Sequence, residues 1–207
     1  MSIAAREELD RIKSSLESIV SRGFKAVEEA IALLEGRRDP ASALDSIEKC
    51  MEYIEDAREE LVRRALVYIA RFQPVGYDLK LVHSIIDVSY DVFRISRYCR
   101  EIAFLVNIAG ITSSEVAAEC LEALKTAYVM FKDAVKSLWA IDVALARSVL
   151  ERDESIDEAY RNVLASLKNQ SEPITREFVV KALLLRHVER IADHATYIAR
   201  RVLSLSP

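Results

Sequence analysis

Glycine and proline are scarce in this chain, with 4 of each in 207 residues. Tight reversals draw on these two residues, so their rarity excludes a turn-rich β architecture and predicts long uninterrupted segments. Cysteine is nearly absent too. Cys50, Cys99 and Cys120 are odd in number, widely spaced and form no Cys-x-x-Cys. Such a set excludes a disulfide framework or a thiolate zinc cluster, and reads as small buried apolar residues in a reducing compartment. No stretch approaches 18 uncharged apolar residues, and the opening Met1-Ser2-Ile3-Ala4-Ala5-Arg6 lacks the apolar segment of a secretory signal. A soluble, cytoplasmic protein is expected. Basic charge is not in excess either: a net charge of −4 and a pI near 5.6 disfavour direct nucleic-acid binding.

Catalytic patterns are missing as well. No glycine-rich phosphate loop, no Ser or Cys nucleophile beside a base and no Cys/His zinc cluster can be traced. Di-iron bundles require Glu-x-x-His, but the positions three before His83, His187 and His194 are Lys80, Leu184 and Ile191. The chain is therefore expected not to be an enzyme.

What is present is helical periodicity. Leu9, Ile12, Leu16, Ile19, Phe24, Val27, Ile31 and Leu34 form one apolar stripe, ended by Gly36 as a C-cap. Asp39 is placed to cap a second helix with Pro40 in its first turn, running to about Phe72. Pro74 opens a third, reaching about Ala109 and stopped by Gly110. Thr112 or Ser113 can cap a fourth to about Leu138, Asp142 a fifth to about Asn169, and Ser171-Glu172-Pro173 signals a sixth to about Ser204. No strand-like alternation competes.

The punctuation repeats. A long helix, an acidic cap (Asp39, Asp142), a second helix and a proline-opened third (Pro74, Pro173) occur in each half. The expected fold is all-α, two tandem three-helix-bundle repeats of six long antiparallel helices, over residues 1–110 and 111–207.

Two acidic pairs stand out against this frame. Glu189 and Asp193, and likewise Asp153 and Asp157, are four residues apart, which stacks each pair one turn above the other on a single helix face. Four hard oxygen donors from two helices suit a divalent or trivalent cation. The bland alternative is a solvated acidic face. Superposing the halves places Met51 and Glu55 opposite Asp153 and Asp157, and Phe93 and Arg97 opposite Glu189 and Asp193, so the first repeat lacks the set. A shifted pairing, Asp87 and Asp91 against Glu55 and Glu59, is the remaining first-half option. His187 and His194, seven apart, fall on the other flank of the sixth helix and read as edge or interface residues.

The run His187 to Ala199, HVERIADHATYIA, resembles the Glu-Arg-Ile-Gly-Asp-His-Ala signature of PhoU-domain proteins, with Ala192 for the usual Gly and Tyr197 for a usual Asn. Gln73-Pro74-Val75-Gly76-Tyr77-Asp78-Leu79-Lys80 is similar to that family's Gln-Pro-x-x-x-Asp-Leu-Arg segment, and Glu151 to Tyr160 to its acidic second helix. The resemblance implies a homodimeric, non-enzymatic regulator of phosphate transport or phosphate signalling. It implies a metal held by Asp153, Asp157, Glu189 and Asp193, iron or zinc in preference to manganese or magnesium. The implied partner is an ABC-type phosphate transporter complex or a sensor kinase, with membrane association only through that partner. The family commonly has a carboxylate pair in each repeat, and this chain matches only the second. That departure leaves an alternative, an accessory subunit of a Pit-type or other transporter that has lost part of the metal chemistry.

Overall fold

The computed structural model describes residues 2–110, 114–169 and 173–206. Its helices are α1 (Ile3–Leu34), α2 (Pro40–Phe72), α3 (Gly76–Ala109), α4 (Ser114–Ala140), α5 (Val143–Ser166) and α6 (Arg176–Leu205), and the described residues contain no strand. Asp39 caps α2 by accepting from the Ser42 N–H at 3.0 Å, and Asp142 caps α5 by accepting from the Leu145 N–H at 3.0 Å. Gly36, at φ 70°, and Gly110, at φ 68°, take the positive-φ positions that end α1 and α3.

Two boundaries differ from expectation. Gln73 turns left-handed at φ 47° to close α2, and α3 begins at Gly76 instead of Pro74, with Val75 at its N-cap and no side-chain cap bond. At the other proline, the cap is Thr175, whose Oγ1 accepts from the Phe178 N–H at 3.2 Å, so α6 starts after Pro173. Helix α5 ends at Ser166 and relaxes into a 3₁₀ turn at Leu167–Asn169. The expected signals at Thr112, Ser113, Ser171 and Glu172 lie outside the described residues.

Helices α1, α2 and α3 pack on one another, as do α4, α5 and α6; α3 lies on α6 and α1 on α4 across the join. Each bundle has a continuous apolar interior. Ile12, Leu16, Ile47, Ile54, Ile85 and Ile95 fill the first, and Leu124, Ile156, Leu184, Val188 and Ile191 the second. Phe24 and Phe131 meet at the join with ring centroids 4.8 Å apart. There α1 approaches closely because position 23 is glycine: a Cβ would lie 2.5 Å from Val92 Cγ1 and 3.3 Å from Phe131 Cζ. The outer helices α2 and α5 make no contact with each other among the described residues. All three cysteines are buried and free.

Candidate metal centre

Helices α5 and α6 run against each other, and the periodicity that buries Ile156 in the core turns Asp153 and Asp157 toward α6. Of the four predicted carboxylates, Asp157, Glu189 and Asp193 all fall within electrostatic reach of Asp153. Burial is the largest influence pushing the Asp153 carboxyl up from 3.8 to about 6; Asp157, Asp193 and Glu189 push it further, and the Arg200 guanidinium opposes them. Glu189 is also raised, first by burial, against the pull of Arg190 and with the push of Asp193. Asp153 Oδ1 is buried without a hydrogen-bond partner. A desolvated anion with an unused oxygen among three other carboxylates calls for a counter-charge.

The counter-charge in place is arginine. Glu189, only 8% exposed, accepts from Arg186 at 2.8 and 2.9 Å and from Arg190 at 3.0 Å, and Asp193 pairs with Arg190 at 2.7 Å. The sequence puts Glu189 beside the apolar arc of α6; the structure buries it. In this arrangement the oxygens of Glu189 and Asp193 face guanidinium groups, and among the described residues no set of three or more His, Cys, Asp or Glu side chains is gathered for a metal ion. The donor chemistry nevertheless fits a hard cation, and Asp153 already has a free oxygen. A cation at this place would be held by Asp153, Asp157, Glu189 and Asp193, with Arg190 giving way.

The first-repeat counterpart keeps only one of the four acids, Glu55. Met51, Glu55, Phe93 and Arg97 line one shallow groove between α2 and α3, together with Glu48, Glu52 and Arg100. Arg100, not Arg97, takes the neighbouring acids, with Glu48 and Glu101 both at 3.1 Å. The shifted option does not assemble either. Asp87 turns to Arg201 at 3.0 Å and Asp91 to His194 at 2.8 Å, so both face α6 and not Glu55 or Glu59 of α2.

That His194–Asp91 contact is the functional-looking feature that sequence reasoning underrates. The two side chains are 8% and 4% exposed and join the repeats through a buried polar bond, with burial the main cause raising the Asp91 carboxyl. A signal was available. Asp91 stands three residues after Val88 and four before Ile95, on the buried stripe of α3, where an acid needs a partner.

Similar proteins place this arrangement in a family. A "Phosphate-specific transport system accessory protein PhoU homolog" of Synechocystis is 26% identical over 208 residues, covering 95% of this chain and 90% of its own. One of Archaeoglobus fulgidus with the same description is 28% identical over 177 residues, covering 86% and 82%. Among solved structures, PhoU from Pseudomonas aeruginosa superposes with a TM-score of 0.85 at 24% identity over 97% of both chains. The phosphate transport system regulatory protein PhoU from Streptococcus pneumoniae gives 0.81 at 20% identity, over 97% of this chain and 96% of that one. The PhoU domain profile matches residues 8–106 and 121–202, most of both bundles, and the chain belongs to the PhoU domain family.

Proposed function

We propose that this protein is an accessory and regulatory component of a phosphate transport system: a cytoplasmic, non-enzymatic, metal-binding helical adaptor. It restrains phosphate uptake or phosphate signalling by contact with an ABC-type transporter or a sensor kinase. The phosphate assignment is supported by its relatives, which are described as phosphate-specific transport system accessory proteins. No helix among the described residues is long and apolar enough to cross a membrane, consistent with a role beside a transporter and not within the bilayer. The observation that carries the metal assignment is the buried, unpartnered oxygen of Asp153, with Asp157, Asp193 and Glu189 within electrostatic reach of that carboxyl.

In this reading a divalent or trivalent cation, iron or zinc before manganese or magnesium, replaces the Arg190 contacts and draws α5 to α6 through carboxylates from both helices. Its contribution is structural and electrostatic, clamping two helices whose acids otherwise repel. The division at residues 110 and 111 into two repeats assigns this clamp to the second alone. Exposed apolar side chains such as Leu164, Leu167, Val179 and Leu183 favour a homodimer. The counterpart at Met51, Glu55, Phe93 and Arg97, which keeps one acid where the second repeat has four, supports one second reading, an accessory subunit of a Pit-type permease with half the metal chemistry lost.

Crosslinking in cells under phosphate excess, followed by affinity capture of the tagged protein, tests the partner. Recovery of an ABC phosphate transporter subunit or a phosphate sensor kinase is expected. Recovery of a phosphate permease instead selects the second reading, and recovery of only unrelated proteins contradicts both.

A further inference from the structure

Because α2 and α5 stand apart, the paired helices α3 and α6 are exposed along the trough between them, where Tyr90 is 44% and Tyr197 is 37% accessible. The floor of this trough is aromatic. Tyr90, Tyr98 and Tyr197 surround His194 with ring centroids 6.4, 5.8 and 5.2 Å from its imidazole. Two arginines close its α2 side. The Arg58 guanidinium lies 5.3 Å from the centre of the Tyr90 ring, and that of Arg94 lies 5.1 Å from the centre of the Tyr98 ring while donating to the Tyr98 hydroxyl. Tyr90 also lies within electrostatic reach of Arg94, so both arginines stand near one side chain.

Arginines over aromatic rings are common, and most need no ligand. These two differ in what surrounds them. Both are half-buried, and Arg58 Nε and Arg94 Nε are buried with no acceptor. No ion pair of either is found among the described residues. The acid one turn before Arg94 is Asp91, which is taken by His194, and Asp87 is taken by Arg201. A guanidinium that has lost water on one edge and has no carboxylate is stabilised by an anion at its outer edge, where its forked N–H groups match an oxyanion. A phenol that accepts from Arg94 still has its own O–H to donate.

We propose that Arg58 and Arg94, with the hydroxyls of Tyr90 and Tyr98, form a receptor for a phosphate oxyanion, presented either as inorganic phosphate or as the terminal phosphoryl group of a nucleotide. Its four residues lie on α2 and α3 and use none of the four clustered carboxylates. It therefore stands or falls separately from the metal centre.

The test is calorimetric titration of the chelator-treated full chain with inorganic phosphate and, in a second arm, with ATP, supported by ³¹P line broadening. Saturable binding in at least one arm is expected, weakened about tenfold or more in Arg58→Gln/Arg94→Gln. It should be unchanged in Glu189→Gln/Asp193→Asn, which removes the metal centre instead. Binding in the first arm identifies free phosphate as the ligand, and binding in the second alone a nucleotide. Should the glutamine variant fail to fold by circular dichroism, Arg58→Lys/Arg94→Lys retains the charge but loses the forked geometry, and weaker binding is again expected. Absence of saturable binding in both arms, or binding that survives folded arginine variants undiminished, overturns the proposal.

Discussion

Replacing Asp153 with Asn should stabilise the metal-free protein at pH 8 and abolish its response to metal. The Asp153 carboxyl is displaced from 3.8 to about 6, first by burial and then by Asp157 and Asp193. The folded state therefore holds a proton that the unfolded state releases between about pH 4 and 6. Stability is lost as pH rises through that window and stays lost above it. Fully counted, such a displacement is worth roughly 3 kcal/mol. Asp153 is only half-buried, so solvent screening reduces this to on the order of 1 kcal/mol. For a chain of this size that corresponds to a rise of about 2–4 °C in melting temperature. The assay is thermal unfolding of chelated wild type and Asp153→Asn at pH 8 and pH 4, then with added iron or zinc. The variant should melt higher at pH 8 and by a much smaller margin at pH 4, where the wild-type carboxyl is protonated in the folded state and only partly ionised in the unfolded one. Added metal should raise only the wild type. A chelated variant that melts lower than wild type at pH 8 would show that ionised Asp153 is a net stabiliser, satisfied by Arg200, and that no charge strain awaits a cation.

Other perturbations test the frame around the centre. Gly23→Ala should destabilise by about 1–3 kcal/mol of overpacking against Val92 and Phe131, less roughly 1 kcal/mol of helix propensity, and Gly23→Ala/Val92→Ala should melt higher than Gly23→Ala alone. Asp142→Ala should cost about 1 kcal/mol through loss of the α5 cap, read from the denaturant midpoint at constant m. Asp91→Leu should leave the buried His194 nitrogen without its partner and cost about 1–3 kcal/mol; Asp91→Leu/His194→Leu should be milder than the sum of the single changes in a double-mutant cycle.

Helix count and most boundaries were legible because apolar stripes at helical spacing and acidic caps act locally: Asp39 and Asp142 cap where expected. The two proline-opened starts differ from the sequence expectation for a shared reason. At each site backbone geometry beyond the proline set the start, left-handed Gln73 in one case and the Thr175 cap in the other. In the second repeat, the i, i+4 offsets were enough to bring Asp153 and Asp157 near Glu189 and Asp193, because helix faces are fixed once the core stripe is known. The arginine partners of Glu189 were not legible, since Arg186 and Arg190 reach it through long flexible side chains. Nor was the His194–Asp91 bond, which joins residues 103 positions apart and depends on how the repeats dock.

The most direct measurement is the metal content of protein purified without chelator or affinity tag from iron- and zinc-replete cells, by elemental analysis. Wild type should carry bound metal, Glu189→Gln/Asp193→Asn should carry none, and Asp87→Asn/Asp91→Asn should match wild type, since those acids serve Arg201 and His194. Metal retained in the Glu189→Gln/Asp193→Asn protein but lost from the Asp87→Asn/Asp91→Asn protein would move the centre to the first repeat. A wild-type protein that never holds metal would reduce the four carboxylates to a solvated face balanced by Arg186, Arg190 and Arg200.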